Sequence, residues 1–546
     1  MKIIAFLISC LGSFCATIAQ PLQTAWLQSI PGDSYEQSNS MSIAPCGDIY
    51  TVGFFQGSLG SFSSIGNEDG FIAKYNDQGQ LLWLQQLAGT NVDRVNAVVV
   101  AGDNEIYVAG EFAGTYYYNN DSLVSQHKLD AFILKIDSTG AIQWAVQGGG
   151  FNSESVGALE LLDNGNIGVV GYYDDDLTFG GTTLNTLGSR DVFVAVLDGM
   201  GNLQWMRGIG GPGIDEGRSI AVDDHNNVYV TGAFRDFLFV GPDTLVGEGV
   251  DDVYLAKYNV TGQLQWVKTM GGDGYDKGMD VNVDQQQNVY VVGWYDRFMN
   301  IGNQTVTGHE EEDGFLMKFD GQGNLIWVNS LAWKFDERIY GVDFDAGNHV
   351  YVLGTLDSFL ILGTDTLTNR HLNRPTDIFI AKYSLTGTYR WAQTLGHYYN
   401  DFCYDFEVKD AGTVYVTGSF QDTSIFVNDT LFSQVGYDVF LGKFEMDSTV
   451  SIQKIANKGS DDLQAVNFYP NPCSEQGQLT YKLEQATALQ IYWCDVLGRK
   501  TMLLNEQNQP QGTYTMDIQA LQGSGGIGFL QLKTPTTVYT ITVRLE

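Results

Sequence analysis

Basic side chains are scarce in this chain: Lys and Arg together number 29 against 64 Asp and Glu, a formal charge of −35. A surface of that sign repels phosphate backbones, which excludes nucleic acid as a partner. Cysteine is sparse too, with six in 546 residues. Cys46, Cys403, Cys473 and Cys494 lie beyond the N-terminal apolar segment and have no CxxC spacing, so no zinc site is indicated. Cys473 and Cys494 are the pair that an oxidising compartment would allow to bridge. There are six histidines, no H-E-x-x-H, no G-x-S-x-G and no P-loop, so the chain carries no catalytic motif and is read as a non-enzyme. It also lacks an apolar run of the roughly 20 residues that cross a bilayer. The one short run, in MKIIAFLISCLGSFCATIAQ, follows a lysine and ends in Thr17-Ile18-Ala19, the pattern of a secretory signal peptide over residues 1–19.

Repetition is abundant. GNLQWMRGIGG at 201–211 returns as GQLQWVKTMGG at 262–272. Tryptophans recur at 26, 83, 144, 205, 266, 327 and 391, mostly 61 residues apart. A D-x-F/Y landmark keeps step at Asp69, Asp130, Asp191, Asp252, Asp313, Asp377 and Asp438, and so does a glycine closing NVYVTG-type runs, as at Gly232 and Gly293. Three landmarks occurring seven times each define a repeat architecture.

Each repeat reads as two hairpins. RSIAVDDHNNVYVTGA (218–233) holds two alternating apolar runs about a turn, and DVYLAKYNVTGQLQWVK (252–268) holds two more, with a glycine four residues before the tryptophan. That glycine predicts a positive φ. The four strands are named A (SIAV type), B (VYVTG type), C (D-x-F type) and D (LQW type). Four-stranded units repeated seven times predict an all-β, seven-bladed β-propeller over 20–454. Between B and C each blade carries a periodic excursion, seen in PDTLVG (242–247) and NDTLFS (428–433), which predicts an ordered arm. The first D strand, at Trp26, is predicted to complete the last blade and close the ring. DSTVSIQK (447–454) copies DSTGAIQW (137–144) with Lys454 in the tryptophan place, and is expected outside the ring because a lysine cannot fill a buried indole site. The tryptophans themselves are expected in the core between blades.

Over 26–444, the LQW, NVYVTG and D-x-F-x-x-K elements resemble the bacterial seven-bladed propeller repeat family. The tail is electrically distinct, with six acidic and five basic residues from Val466 to Glu546. Its FYPNP (468–472), DVLGRK (495–500) and GIGFLQL (526–532) resemble the C-terminal sorting domain of type IX secretion cargo in the Bacteroidota. The resemblance implies a small immunoglobulin-like β-sandwich over 466–546 after a linker at 455–465, read by the outer-membrane translocon through Tyr469, Pro470, Asn471, Pro472, Gly498 and Arg499. It implies a protein delivered through the periplasm to the cell surface or medium.

Three sets of side chains are candidates for function. Acids stand ten residues past most tryptophans, at Glu36, Asp93, Glu154, Asp215, Asp276 and Asp401, with Asp336 one place earlier in its blade. Around a channel mouth they can take calcium, the one cofactor in view; alternatively each caps its own loop by accepting N–H bonds, which the strict blade period favours. Tyr116, Tyr117, Tyr118, Tyr172, Tyr173, Trp294 and Tyr295 can stack on sugar rings or pack on their own blades. Asp-Ser/Thr-Leu at 121–123, 243–245, 365–367 and 429–431 resembles an O-glycosylation sequon of the same bacterial group, although the repeat alone also explains its recurrence. The expectation is a secreted scaffold for binding or adhesion to an extracellular protein or glycan. A lectin-like propeller and a polysaccharide hydrolase or lyase with an unrecognised site are the alternatives.

Overall fold

A computed structural model describes residues 22–546 apart from 120, 333–334, 364, 369–375, 397–398, 411, 428, 447–451, 457–462, 470–475, 484, 496–499, 520–525, 536 and 546. The described residues are strands and turns without a helix, and they form two units, Leu22–Glu445 and Met446–Glu546.

The first unit holds seven antiparallel four-stranded sheets in chain order. Blade 4 is typical, with A Glu216–Val222, B Val228–Phe234, C Asp252–Tyr258 and D Leu264–Met270. Its B and C strands are buried along their whole length, while A and D are only partly covered. That explains why B and C read as nearly continuous apolar runs: neighbouring blades cover both faces. Blades 1, 2 and 3 begin at Glu36, Asp93 and Glu154; blades 5, 6 and 7 begin at Lys277, Glu337 and Asp401. Blade 7 takes its D strand from the chain start, Leu22–Ile30, which lies beside the C strand Asp429–Met446. Leu22 N–H also donates to Gln393 Oε1 of blade 6 at 2.8 Å, so the closing strand is tied to the ring on both sides.

The B–C excursions are ordered. In blades 2, 5 and 7 they prolong the B–C hairpin; in blades 1, 3, 4 and 6 they form separate short hairpins, such as Phe237–Val240 with Asp243–Val246. The arms of blades 3 and 4 pair with the D strands of the preceding blades, Gly148 with Phe179 and Ile209 with Val240. Each therefore stitches a blade to its neighbour.

The tryptophans mark the outer seams. Trp205 and Trp391 are buried, but Trp26, Trp83, Trp144, Trp266 and Trp327 are half-buried, which corrects the expectation of a uniformly buried core residue. Buried and half-buried alike, the indole N–H groups of Trp26, Trp83, Trp144, Trp205, Trp266 and Trp327 donate to a carbonyl in the C–D turn of the next blade, as from Trp205 to Val260 at 3.1 Å and from Trp266 to Gly321 at 3.2 Å. In blade 4, Lys257 Nζ shares the Gly321 carbonyl at 3.2 Å while lying over the Tyr229 ring. The glycine before each tryptophan has a positive φ, as at Gly262 (72°), and a Cβ there would stand 2.5 Å from Trp205 Cδ2. This position thus needs glycine twice, for its backbone and for the indole pressed against it.

The second unit is a sandwich of a five-stranded and a three-stranded sheet. Leu479, Tyr481, Leu483 and Ile518 from the smaller sheet share a core with Leu489, Ile491, Leu530 and Leu532 from the larger. Ile452–Ala456 pairs with Thr537–Leu545 in that larger sheet, Lys454 opposite Tyr539. The propeller unit accordingly ends at Glu445 and not at 454, and the sandwich takes in residues assigned above to the linker. Blade 7 has no outer edge left for another D strand, because Leu22–Ile30 occupies it. Tyr469 ends the strand Leu463–Tyr469, whereas Pro470, Asn471, Pro472, Cys473, Gly498, Arg499 and the signal segment 1–19 lie outside the described residues.

Candidate functional site: the central channel

In all seven blades the A–B pairing slips by one residue at the same place, between Ser38 and Ser40 in blade 1 and between Cys403 and Asp405 in blade 7. Such a bulge re-aims a side chain. The bulged residues are Asn39, Asn96, Gly157, Arg218, Met279, Tyr340 and Tyr404, and all of them line a cavity of about 560 Å³ enclosed by the seven A strands. The seven comprise two Asn, two Tyr, Gly, Arg and Met, so the side chains vary around the ring while the backbone that presents them is constant.

Below the bulges the channel becomes acidic. The next lining position includes Asp280 and Asp405, and two residues further along come Glu160, Asp343 and Glu407. Most of these carboxylates serve the fold. An A strand has no ladder partner on its inner edge, so its N–H groups need side-chain acceptors. Met41 N donates to Asp405 at 2.8 Å, Val342 N to Asp280 at 2.8 Å, Val408 N to Asp343 at 2.6 Å and Ile43 N to Glu407 at 3.0 Å. Each bond joins neighbouring blades. Glu160 makes no such bond among the described residues. Its carboxyl is pushed up to about 8, first by burial and then by Asp280, Asp343 and Asp405 across the channel. Asp343 and Asp405 are raised to about 7, chiefly by burial. The lining holds five carboxylates and one cation, Arg218, which is already paired with Glu216 at 2.6 Å.

The acids ten residues past the tryptophans are elsewhere. Glu36, Asp93, Glu154, Asp215, Asp276 and Asp401 are buried at the bases of the D–A loops and form no open ring of carboxylates at the mouth. They accept loop N–H groups: Gly89 to Asp93 at 2.6 Å, Gly150 to Glu154 at 2.8 Å, Gly211 to Asp215 at 2.6 Å and Gly272 to Asp276 at 2.6 Å. In blade 6 the position belongs to Glu337, fully buried, and not to Asp336, which is partly exposed and pairs with Arg338 at 3.1 Å. Counting ten from Trp327 lands on Glu337, so the signal was present in the sequence. The landmark acids of the C strands are buried beside these loops and accept from their own B–C excursions: Asp130 from Gln126 N at 3.2 Å and Asp252 from Glu248 N at 3.1 Å. The Gly-Gly pair after Ile209, Met270 and Gly148 fits between the two acids, its first member allowing the C-strand Asp to approach and its second donating to the A-strand acid. In a residue this crowded only glycine fits; a Cβ on Gly210 would lie 2.0 Å from Asp191 Oδ1.

The aromatic candidates separate. Tyr295 is fully buried, its hydroxyl 2.6 Å from Ser330 Oγ, and Tyr116 and Tyr173 are buried as well. Tyr117 is exposed at the tip of the blade 2 arm, away from the channel lining. Trp294 lies under Arg338, 5.7 Å from its centroid, and Tyr172 under Arg190 at 3.8 Å. Phe54 and Arg94 make the same stack at 5.3 Å. Each arginine is also held by an acid; the Phe54–Arg94 and Trp294–Arg338 stacks rivet neighbouring blades together, while Tyr172, Arg190 and Asp174 all belong to blade 3. A cluster that the sequence reading missed lies where the ring closes: Tyr35 packs on Phe54 and Tyr437, and Phe402 on Tyr437 and Tyr404. It leads into the channel at Tyr404. The hydroxyls of the Asp-Ser/Thr-Leu motifs are carried on the arms, with Thr244, Thr366 and Thr430 exposed and Ser122 half-buried.

The beta-propeller repeat family matches residues 204–233, which run from the D strand of blade 3 through the B strand of blade 4. The chain is a β-propeller repeat protein. This propeller is 21% identical over 473 residues to an uncharacterized WD repeat-containing protein of Acanthamoeba polyphaga mimivirus, covering 70% of this chain and 34% of that protein. It is 29% identical over 146 residues to the regulatory protein FlaEY of Caulobacter vibrioides, covering 26% of this chain and 15% of that one. The propeller therefore spans about a third or less of these relatives. Among solved structures it is similar to YCF48 bound to D1 peptide, at 10% identity and a TM-score of 0.37, covering 78% of this chain and 96% of that one.

Proposed function

We propose that this protein is a non-catalytic binding scaffold working outside the cell, with its ligand at the channel mouth. The observation that carries the reading is the sevenfold bulge: one backbone device delivers Asn39, Asn96, Gly157, Arg218, Met279, Tyr340 and Tyr404 to one cavity. A residue needed by the blade repeats with the blade; a position that holds five residue types in seven blades on one constant backbone is available for recognition. Export follows the tail's resemblance to a type IX sorting domain, which makes the translocon the partner of residues 466–546 and the cell surface or medium the destination.

The test is to replace Asn39, Arg218 and Tyr404 together by alanine. The variant is expected to stay folded, because the strand pairs flanking each bulge are untouched, with a modestly lower melting temperature from loss of the bond that Asn39 Nδ2 donates to Val95 O of the next blade, and to lose its binding to the surface of the producing cells. A glycan array with the same pair of proteins decides whether the ligand is a sugar. Release of product from a polysaccharide would replace the scaffold reading by a hydrolase or lyase. For export, deletion of 466–546 is expected to leave the propeller folded but periplasmic; a truncated protein reaching the medium at normal levels would sink the sorting assignment.

A further inference from the structure

The same position, eleven residues past the tryptophan, carries Arg94 in blade 2 and Arg338 in blade 6, and each guanidinium lies on an aromatic ring of the preceding blade and against carboxylates. In blade 7 the position is Phe402. There the chain supplies the rings without the cation: Phe402, Tyr404, Tyr437 and Tyr35 form one half-buried aromatic patch, and among the described residues no lysine or arginine stacks on any of the four. The carboxylates are present as well. Tyr340 and Tyr404 stand at the bulge level of the channel, with Asp405 one lining position below and Glu160, Asp343 and Glu407 below that. The single lining cation, Arg218, belongs to blade 4 and is occupied by Glu216.

Resting on the scaffold reading above, we propose that the channel mouth beside blades 6, 7 and 1 takes the side chain of an arginine or lysine presented on an exposed segment of a partner protein. The guanidinium or ammonium lies on the Phe402–Tyr404 patch and points down toward Glu160 and Asp343, completing from outside the ring–cation–carboxylate arrangement that the protein makes for itself at the Phe54–Arg94 and Trp294–Arg338 seams. Aromatic faces attract a cation through their quadrupole, and a partly dry cavity strengthens that attraction. The formal charge of −35 brings a basic segment to the surface before it docks.

The experiment titrates full-length protein with a capped arginine-containing peptide, its lysine counterpart and its citrulline counterpart, the last preserving shape without charge. Arginine and lysine peptides are expected to bind and citrulline not to. Glu160→Gln, which alters a carboxylate with no hydrogen bond to the fold among the described residues, is expected to weaken binding by about tenfold, as is Tyr404→Leu. Asp243→Asn, an exposed acid on the blade 4 arm outside the channel lining, is expected to leave it unchanged. If Tyr404→Leu fails to fold, Glu160→Gln carries the test alone. Equal binding of citrulline, or binding indifferent to Glu160→Gln, overturns the proposal. If alanine at the bulges abolishes cell-surface binding while these peptides never bind, the cationic ligand is wrong and the scaffold stands; if the peptides bind and alanine at the bulges changes nothing, the channel itself is wrong.

Discussion

Glycine at 262 and tryptophan at 205 are one structural unit contributed by two blades. Trp205 is 8% exposed and donates to Val260 O, so Trp205→Ala removes both a packed indole and a bond across the seam. It is expected to lower stability by about 3–5 kcal/mol in chemical denaturation. Gly262→Ala separates the two reasons for glycine. Gly165 has a φ of 80° and nothing within 4 Å of a Cβ, so Gly165→Ala meets only the backbone cost, about 1–2 kcal/mol. Gly262→Ala, with its Cβ 2.5 Å from the indole, is expected to cost clearly more; equal losses would show that the indole yields. The sequence announced this glycine by its turn position, yet the close approach of Trp205 was not legible, since the two residues are 57 apart and only the ring brings them together.

At the scale of the element, the D–A loop clamps a carboxylate from each of two blades in dry surroundings. Burial raises Asp93 and Asp215 to about 7 and Glu36, Glu154 and Asp276 to about 8, with a neighbouring C-strand Asp adding to the rise. A carboxyl whose folded pKa lies above its unfolded value contributes stability that is complete below the unfolded pKa, near 4, and is lost as pH rises through the folded value. The propeller is therefore expected to melt at a lower temperature at pH 9 than at pH 6, and Asp93→Asn, neutral throughout, to flatten part of that decline. A melting temperature that does not fall above pH 7 would mean these acids are ionised in the folded state. Strands, blade number and closure were readable because alternation and the tryptophan spacing state them directly. The bulges were not: one extra residue per A strand leaves the repeat length constant in every blade, so no landmark moves. The aromatic patch at the closure was hidden for another reason, as Tyr35 and Tyr437 sit at opposite ends of the propeller sequence.

At the scale of the whole molecule, the ring depends on a single strand supplied out of order. Removing 22–30 leaves blade 7 with three strands and exposes the edge of Asp429–Met446. The truncated propeller is expected to melt lower and less cooperatively, and a synthetic peptide of residues 22–30 added back should raise the transition; no change on truncation would show that the inner seams alone hold the ring. The belt of A-strand bonds described above, Met41 to Asp405 and Ile43 to Glu407 among them, also crosses this closure, so the strand and the belt are expected to fail together.

The out-of-order strand also sets a timetable. Residues 22–30 are the first of the propeller to be made and the last to find their partners, because Asp429–Met446 must exist before they can pair. Contacts this distant in sequence close slowly, and until they do the nascent chain carries an unsatisfied sheet edge at each end. Synthesis of blades 1 to 6 can run ahead of folding without penalty, but the final join is a race between intramolecular closure and pairing with a second chain, and it is lost more often as the chain becomes more concentrated.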